Sequence, residues 1–586
     1  MSMPMSTSSA AKDTILDFNL SPADIERGTD ALEQGKRAQD SGAAQTNPTF
    51  ANVIIPLATY ENEGCTLNVS TDKDICDATS MAAEEKLDEN APVRAGNQAH
   101  PQHQRGHGQT VFIHDKLEGT PQGLFEGRAT EVVDGQEGFV VMTKYPDIIP
   151  VMKMAKHEET RERMPTLSRE HSHSATVALR LEAAQLLGYK THAEFVLEEN
   201  MAKAPVPVLE FEEDLRSRLN ADKQAAGKPY AGLFGWDYRY YSNLVKERKH
   251  NINDEEVKQY FPVKEVTRSI LDIYQNMLSL WFVKIDNPPV WHADVEMYEV
   301  WEATEETFVG HFYLDLFPRE GKYNHAAVWP IRAGFNRPDG SREYPVAAMV
   351  ANFPKPTPSA PALLTHDDAT TLLHELGHVF HGICSVTKWA LFHGTRTERD
   401  FVEAPSQMLE NWSWEPSVLQ KFAVHHQTGE PIPEALVKRL VAAKNEGAGL
   451  FNLRQLFFGL YDMGIHNTAD GKVDIKELYN KLYEDIARFK IGSHDTWGIA
   501  TIGHMMGGYD AGYYGYMWSQ VFSADMYASR FVKDGVFNPQ TGLDYCYAIL
   551  RPGSSHDSMD SLIKFKSRKP NSSGFLEASG LENSYN

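Results

Sequence analysis

Long stretches of the chain repeat apolar side chains every three to four residues, with few glycines or prolines between them. This spacing predicts helices over residues about 13–40, 168–200, 205–220, 253–285 and 433–490. Residues 294–350 follow a different rhythm. Segments 295–301 and 310–316 roughly alternate apolar and polar side chains, the pattern of half-buried strands. Segment 346–353 is expected to form the edge of the same small antiparallel sheet, beside the helix that follows it. The expectation is a mostly α fold with one such sheet.

That following helix carries the most informative pattern. Thr365 and Asp368 have the spacing of a capping box. Leu372, Leu373, Leu376, Val379 and Phe380 then recur at helical spacing, and Gly382 is the expected stop. Within the run, residues 374–378 read His-Glu-Leu-Gly-His. His374 and His378 lie one turn apart on one face, and imidazole nitrogen suits zinc. Glu375 sits between them, where it can take a proton from a metal-activated water. Gly377 costs the helix about 1 kcal/mol relative to alanine, so it is expected to serve close packing beside the metal.

Two histidines leave a catalytic site short of a protein ligand. In segment 401–412, Pro405 fits the first turn of a second helix and Pro416 marks its end. Glu403, Gln407, Glu410 and Trp414 then share one face. Their neighbours are apolar and aromatic, which argues for burial, and a buried carboxylate needs a partner such as a metal ion. A third constellation, residues 503–519, mixes glycines with His504, Tyr509, Tyr513 and Tyr516. Its glycines predict a mobile loop leading into a helix. Tyr513 and Tyr516 are spaced to face one way, either as packing or as hydroxyl donors to developing negative charge.

On these motifs the chain resembles the M3 zinc metallopeptidases, the group of thimet oligopeptidase, neurolysin and saccharolysin. The shared features are HExGH at 374–378 and Glu403-Ala404-Pro405-Ser406-Gln407 downstream. Segment 395–400 and the tyrosine-rich 503–519 stretch are also similar. The resemblance implies His374, His378 and Glu403 as ligands of one Zn²⁺ per chain, with Glu375 as general base. It implies Tyr513, Tyr516 and His504 at the transition state. Tyr509, Arg399, Gly507 and Gly508 are implied as substrate-binding residues. Gln407 or Glu410 is expected to support a zinc histidine from behind. The implied fold is a mostly α, two-lobed zincin with a deep substrate channel. The implied activity is cleavage of internal bonds in short peptides during intracellular peptide degradation. A related peptidyl-dipeptidase, a mitochondrial presequence peptidase and a non-catalytic peptide-binding protein are the alternatives.

Composition narrows the partners. The 586 residues carry 57 Lys+Arg against 80 Asp+Glu, a net charge of −23, without a basic patch. Nucleic acid is therefore not an expected partner. No apolar run reaches membrane-spanning length. Four cysteines (Cys65, Cys76, Cys384, Cys546) are too few and scattered for a disulfide framework. The start lacks a secretory core and transit-peptide arginines. A monomeric cytoplasmic protein is expected, with the mitochondrial intermembrane space as the alternative. The expected organisation is a disordered 1–12, a partial helical lobe at 13–88 and a polar linker at 89–127 that replaces helices of the family. A helical lobe at 128–290 and the zinc lobe at 291–586 follow. Two metal-like patterns are set aside. Residues 466–477 lack carboxylates at the first and third positions of a calcium loop, and the histidines of 100–107 lie in a linker-like setting.

Overall fold

The computed structural model describes residues 109–580, apart from 121–129, 134–135, 143–144, 164–172, 226–232, 320–321, 324, 357–360, 492–501 and 507. The expected helix at 13–40, the lobe at 13–88, residues 89–108 and 121–127 of the linker, Cys65, Cys76 and Gly507 lie outside the described residues. Within the expected linker, Gln109–Ile113 form a strand instead, because this apolar run pairs with Gly138–Met142. The backbone groups into two compact units. Of the described residues, one comprises Asp254–Glu434 and Phe522–Asn571; the other comprises 109–253, Ala435–Val521 and 572–580.

In the first unit, helix α1 (Val263–Leu278) buries Val266, Ile270, Tyr274 and Met277 along one stripe. The expected helix over 253–285 stops here. Ser279 takes a left-handed conformation (φ 53°), and the aromatic and β-branched run that follows forms strand β1 (Leu280–Lys284). Four more strands complete a sheet: β2 (Glu296–Glu302), β3 (Phe308–Asp315), β4 (Ala327–Arg332) and β5 (Val346–Val350). Their order is β1-β2-β3-β5-β4.

This corrects two expectations. The sheet is mixed rather than antiparallel, because β5 runs parallel to β3. Nor is β5 an edge, since β4 pairs with its other side. The physical reason lies in the sequence of β5, Val-Ala-Ala-Met-Val, whose first four residues are all buried. Such an unbroken apolar strand belongs inside a sheet. The edge falls to β4, where Pro330 lacks an N–H and is tolerated.

Helix α2 (His366–Cys384) packs against this sheet. Thr365 caps it: its hydroxyl accepts from Asp368 N, and Asp368 Oδ2 accepts from Thr365 N at 2.9 Å. Leu372, Leu373, Leu376, Val379 and Phe380 have no solvent exposure. Each such side chain contributes about 1.5–3 kcal/mol relative to an exposed one. Phe380 stacks on Phe282 of β1 at 4.8 Å and meets the edge of Phe312 of β3 at 5.6 Å. Gly382 is not the stop, because the helix continues to Cys384. The close crossing here depends on Gly394, where a Cβ would sit 3.0 Å from the Gly382 Cα, whereas a Cβ on Gly382 itself would meet open space. Helix α3 (Ala404–Glu410), with Pro405 in its first turn, packs on α2.

The second unit contains a three-stranded antiparallel sheet with Gln136–Met142 in the middle. Its helices include His173–Leu186, His192–Leu197, Pro205–Ala225 and Ala448–His466. The helical span expected over 168–200 is therefore divided between two helices. Gly188 turns the chain at φ 95°, and Thr191 caps the next helix by accepting from Glu194 N at 3.1 Å. The expected span 433–490 is likewise three helices and a short strand, with breaks at Gly447 and near Gly471, both at positive φ. Among the described residues no helix is long and apolar enough to cross a membrane.

Candidate metal centre

The 3.6-residue period of α2 sets the two histidine rings one turn apart, with centroids 4.9 Å from each other. Opposite them, Glu403 stands at the N-cap of α3. Its Oε2 lies 3.3 Å from His374 Nε2 and 3.2 Å from His378 Nε2. Ligands about 2.1 Å from a tetrahedral zinc lie about 3.4 Å from one another. The two edges that meet at Glu403 match such a tetrahedron, all three donor atoms lie within 4.8 Å of one another, and the N₂O donor set is of the type that binds zinc. Among the described residues this is the one His/Cys/Asp/Glu group with metal-binding spacing.

Gly377 makes the approach of α3 possible. A Cβ there would meet the Ser406 Cα at 2.8 Å, so the expected role in close packing is the observed one. The residue behind His374 is Glu410 rather than Gln407. Glu410 Oε1 lies 2.7 Å from His374 Nδ1, which fixes the ring and leaves Nε2 directed at Glu403.

Electrostatics follow from this crowding. Burial alone would raise the Glu403 carboxyl, but His378 and His374 hold it well below the usual range. Burial would likewise lower His374, yet its hydrogen bonds to Glu403 and Glu410 carry it well above an ordinary histidine. A cation taken up at Nε2 must displace that proton, so acid opposes binding. Glu375 is buried on α2, and burial raises its carboxyl while the two histidines act the other way. A carboxylate moved toward neutrality is suited to shuttling a proton.

The tyrosine-rich segment forms its own cluster in the second unit. Tyr509 stacks on Tyr516 at 5.1 Å, Tyr513 lies 5.3 Å from Tyr516, and His504 packs at 5.7 Å against all three rings. Tyr513 stands in a turn just before the helix Gly515–Met526, not on it as expected. The Tyr513 hydroxyl donates to Gln455 Oε1 at 3.1 Å. Gly508 is exposed at φ 90°, as a glycine turn requires. Arg399 is exposed in the turn before α3. The calcium-like residues are committed elsewhere. Asp474 caps the helix Ile475–Asp485, and His466 lies 2.8 Å from Asp462 Oδ1. Cys384 and Cys546 are buried free thiols.

Sequence reasoning missed Gln455 and Asp462. The one local signal was an acid inside the apolar run Leu456–Ile465, where a buried carboxylate demands partners.

Residues 151–581 match Peptidase family M3. The chain is 37% identical over 510 residues to saccharolysin of Saccharomyces cerevisiae, covering 81% of this chain and 71% of that protein. It is 36% identical over 501 residues to a thimet-like oligopeptidase of Dictyostelium discoideum, covering 80% and 74%. A crystal structure of an oligoendopeptidase F shares the fold at a TM-score of 0.52 and 13% identity, covering 97% of each chain. The chain therefore belongs to peptidase family M3, with the catalytic metal and peptide substrates of a metallo-oligopeptidase.

Proposed function

We propose that this chain cleaves internal bonds of short peptides with one zinc ion held by His374 Nε2, His378 Nε2 and a Glu403 carboxylate oxygen. The observation that carries the reading is the convergence of these three atoms, with Glu410 fixed behind His374. When bound, zinc polarises the scissile carbonyl and lowers the pKa of the attacking water. Glu375 accepts the water's proton and delivers it to the departing amine nitrogen. The phenol hydroxyls of Tyr513 and Tyr516, with His504, donate to the oxygen on which negative charge develops, Tyr513 exchanging its bond to Gln455 for this one, and they do so without adding charge of their own. Tyr509, Arg399, Gly507 and Gly508 bind the peptide. The protein works as a monomer in the cytoplasm on peptide debris, without nucleic acid or membrane as partner.

The test is cleavage of an internally quenched peptide of about ten residues by the purified, zinc-loaded chain, with and without a chelator. Chelator-sensitive internal cleavage is expected. Release of C-terminal dipeptides would move the assignment to a peptidyl-dipeptidase. Stoichiometric zinc with tight peptide binding and no cleavage would replace it with a binding protein.

A further inference from the structure

One buried carboxylate ties two backbone amides of the tyrosine-bearing segment to the body of its unit. Asp462, on the helix Ala448–His466, is fully buried. Its Oδ1 accepts from Ala511 N at 3.0 Å and its Oδ2 from Tyr513 N at 2.9 Å. Between those two amides Ala511 is left-handed, at φ 52°. That conformation is unfavourable for alanine but aims neighbouring N–H groups into one concavity that suits an anion. The Asp462 carboxylate is the anion here, and its charge-assisted bonds offset the strain.

The carboxylate is itself held in place. His466 Nδ1 lies 2.8 Å from Asp462 Oδ1. His466 Nε2 lies 3.2 Å from Arg180 Nη1. A guanidinium only donates, so Nε2 accepts and the ring proton sits on Nδ1, facing Asp462. Arg180 also donates to Met505 O at 2.7 Å and pairs with Asp510, which His192 Nε2 contacts at 2.6 Å. Glu212 lies in the same buried region, and burial together with the Asp462 charge holds its carboxyl well above the usual range.

We propose that Asp462 is a positioning residue for peptide hydrolysis: it fixes the Ala511–Tyr513 backbone and thereby the direction of the Tyr513 and Tyr516 hydroxyls. This rests on the reading of those hydroxyls as donors to the oxyanion. Asparagine at 462 keeps the shape but turns an NH₂ toward one of the two amides, so one bond is lost and a donor faces a donor.

The experiment uses the full-length zinc-loaded enzyme. In the unaltered protein, the amides of Ala511 and Tyr513 are expected to exchange with deuterium more slowly than those of the neighbouring exposed residues His504 and Gly508; equal exchange overturns the clamp without need of any variant. In Asp462→Asn these amides should exchange faster while α2 is unchanged. The kcat should fall about 100-fold, as misplacement of catalytic groups allows, with KM within about threefold and zinc content intact. Ala511→Gly in that background should recover about tenfold, because glycine adopts the turn without a clamp, a rescue that mere loss of packing would not give. Adding Asp462→Asn to Tyr516→Phe should cost less than it does alone. Full additivity, or an unchanged kcat beside a loosened loop, would overturn the positioning role. If Tyr513→Phe and Tyr516→Phe both keep full activity while Asp462→Asn still loosens the loop, the oxyanion reading fails and the clamp stands.

Discussion

Replacing Gly377 by alanine tests whether helix packing sets the geometry of the metal ligands. On an exposed helix the change stabilises by about 1 kcal/mol. Here the new methyl would stand 2.8 Å from the Ser406 Cα and 3.2 Å from both the Ser406 Cβ and the Leu409 Cδ1. Ordinary carbon contacts begin near 3.5 Å, so α3 must retreat by about 0.7 Å. Backbone cannot rotate out of the way as a side-chain tip can. Glu403 caps α3 and moves with it, whereas His374 and His378 stay on α2. Metal sites tolerate errors of about 0.2 Å in ligand distance, several times less than that displacement. Overpacking of about 1–3 kcal/mol nearly cancels or exceeds the propensity gain. The expected outcome is zinc affinity reduced about 10–100-fold, with the metal-free melting temperature unchanged or slightly lowered. Competition against a fluorescent chelator measures the first, and thermal unfolding in excess chelator the second. Unchanged affinity with a raised melting temperature would falsify the view that Gly377 spaces the two ligand helices.

Three further outcomes are expected. Glu375→Gln should keep stoichiometric zinc, by metal analysis, yet lose at least about 10²-fold in kcat; near-normal turnover would remove Glu375 as the base. Glu410→Ala should weaken zinc binding about 10–100-fold by freeing the His374 ring, seen in the same chelator competition, and unaltered affinity would make its 2.7 Å contact incidental. Burial opposes ionisation of Asp510, but the His192 hydrogen bond and the Arg180 charge push it down to about 2. A depressed carboxylate stabilises the fold above its unfolded value near 3.8 and loses that contribution as pH falls toward 2. Asp510→Asn should therefore cost about 2 kcal/mol at pH 7, with the gap in urea midpoints narrowing below about pH 4. A gap independent of pH would show that the ion cluster is not its source.

Legibility from sequence followed the range of the interactions. The metal helix, its cap at Thr365, the ligand pair and the Glu403 helix were readable because each rests on residues within one or two turns of one another. Gly377 was readable as a packing glycine because it costs helix stability with no local return. The sheet was less so. Alternation identified β2 and β3, but strand order depends on partners far along the chain, and the buried run of β5 was mistaken for an edge. Helix breaks at Gly188 and Gly447 were blurred by apolar spacing that persists across them. Glu410 and Gln407 share a face, and only the placement of α3 against α2 separates them. Asp462 was beyond reach, since its meaning lies in two backbone amides of a segment some fifty residues away.

The interleaving of the two units has a consequence for biosynthesis. Arg180 and His192 emerge early, but the groups they bind, His466 and Asp510, lie 286 and 318 residues later. The whole Asp254–Glu434 segment of the other unit is made in between. At about 5–20 residues per second, the ribosome leaves these side chains waiting for roughly 15–60 s. The segment bearing α2 and its sheet can assemble during that interval, whereas the early helices of the second unit stand with apolar faces open. The nascent chain is thus most vulnerable to aggregation not at its ligand-bearing middle but at its earlier half. Premature termination between residues 254 and 434 would release that exposed half without the helix Ala448–His466 that packs on it.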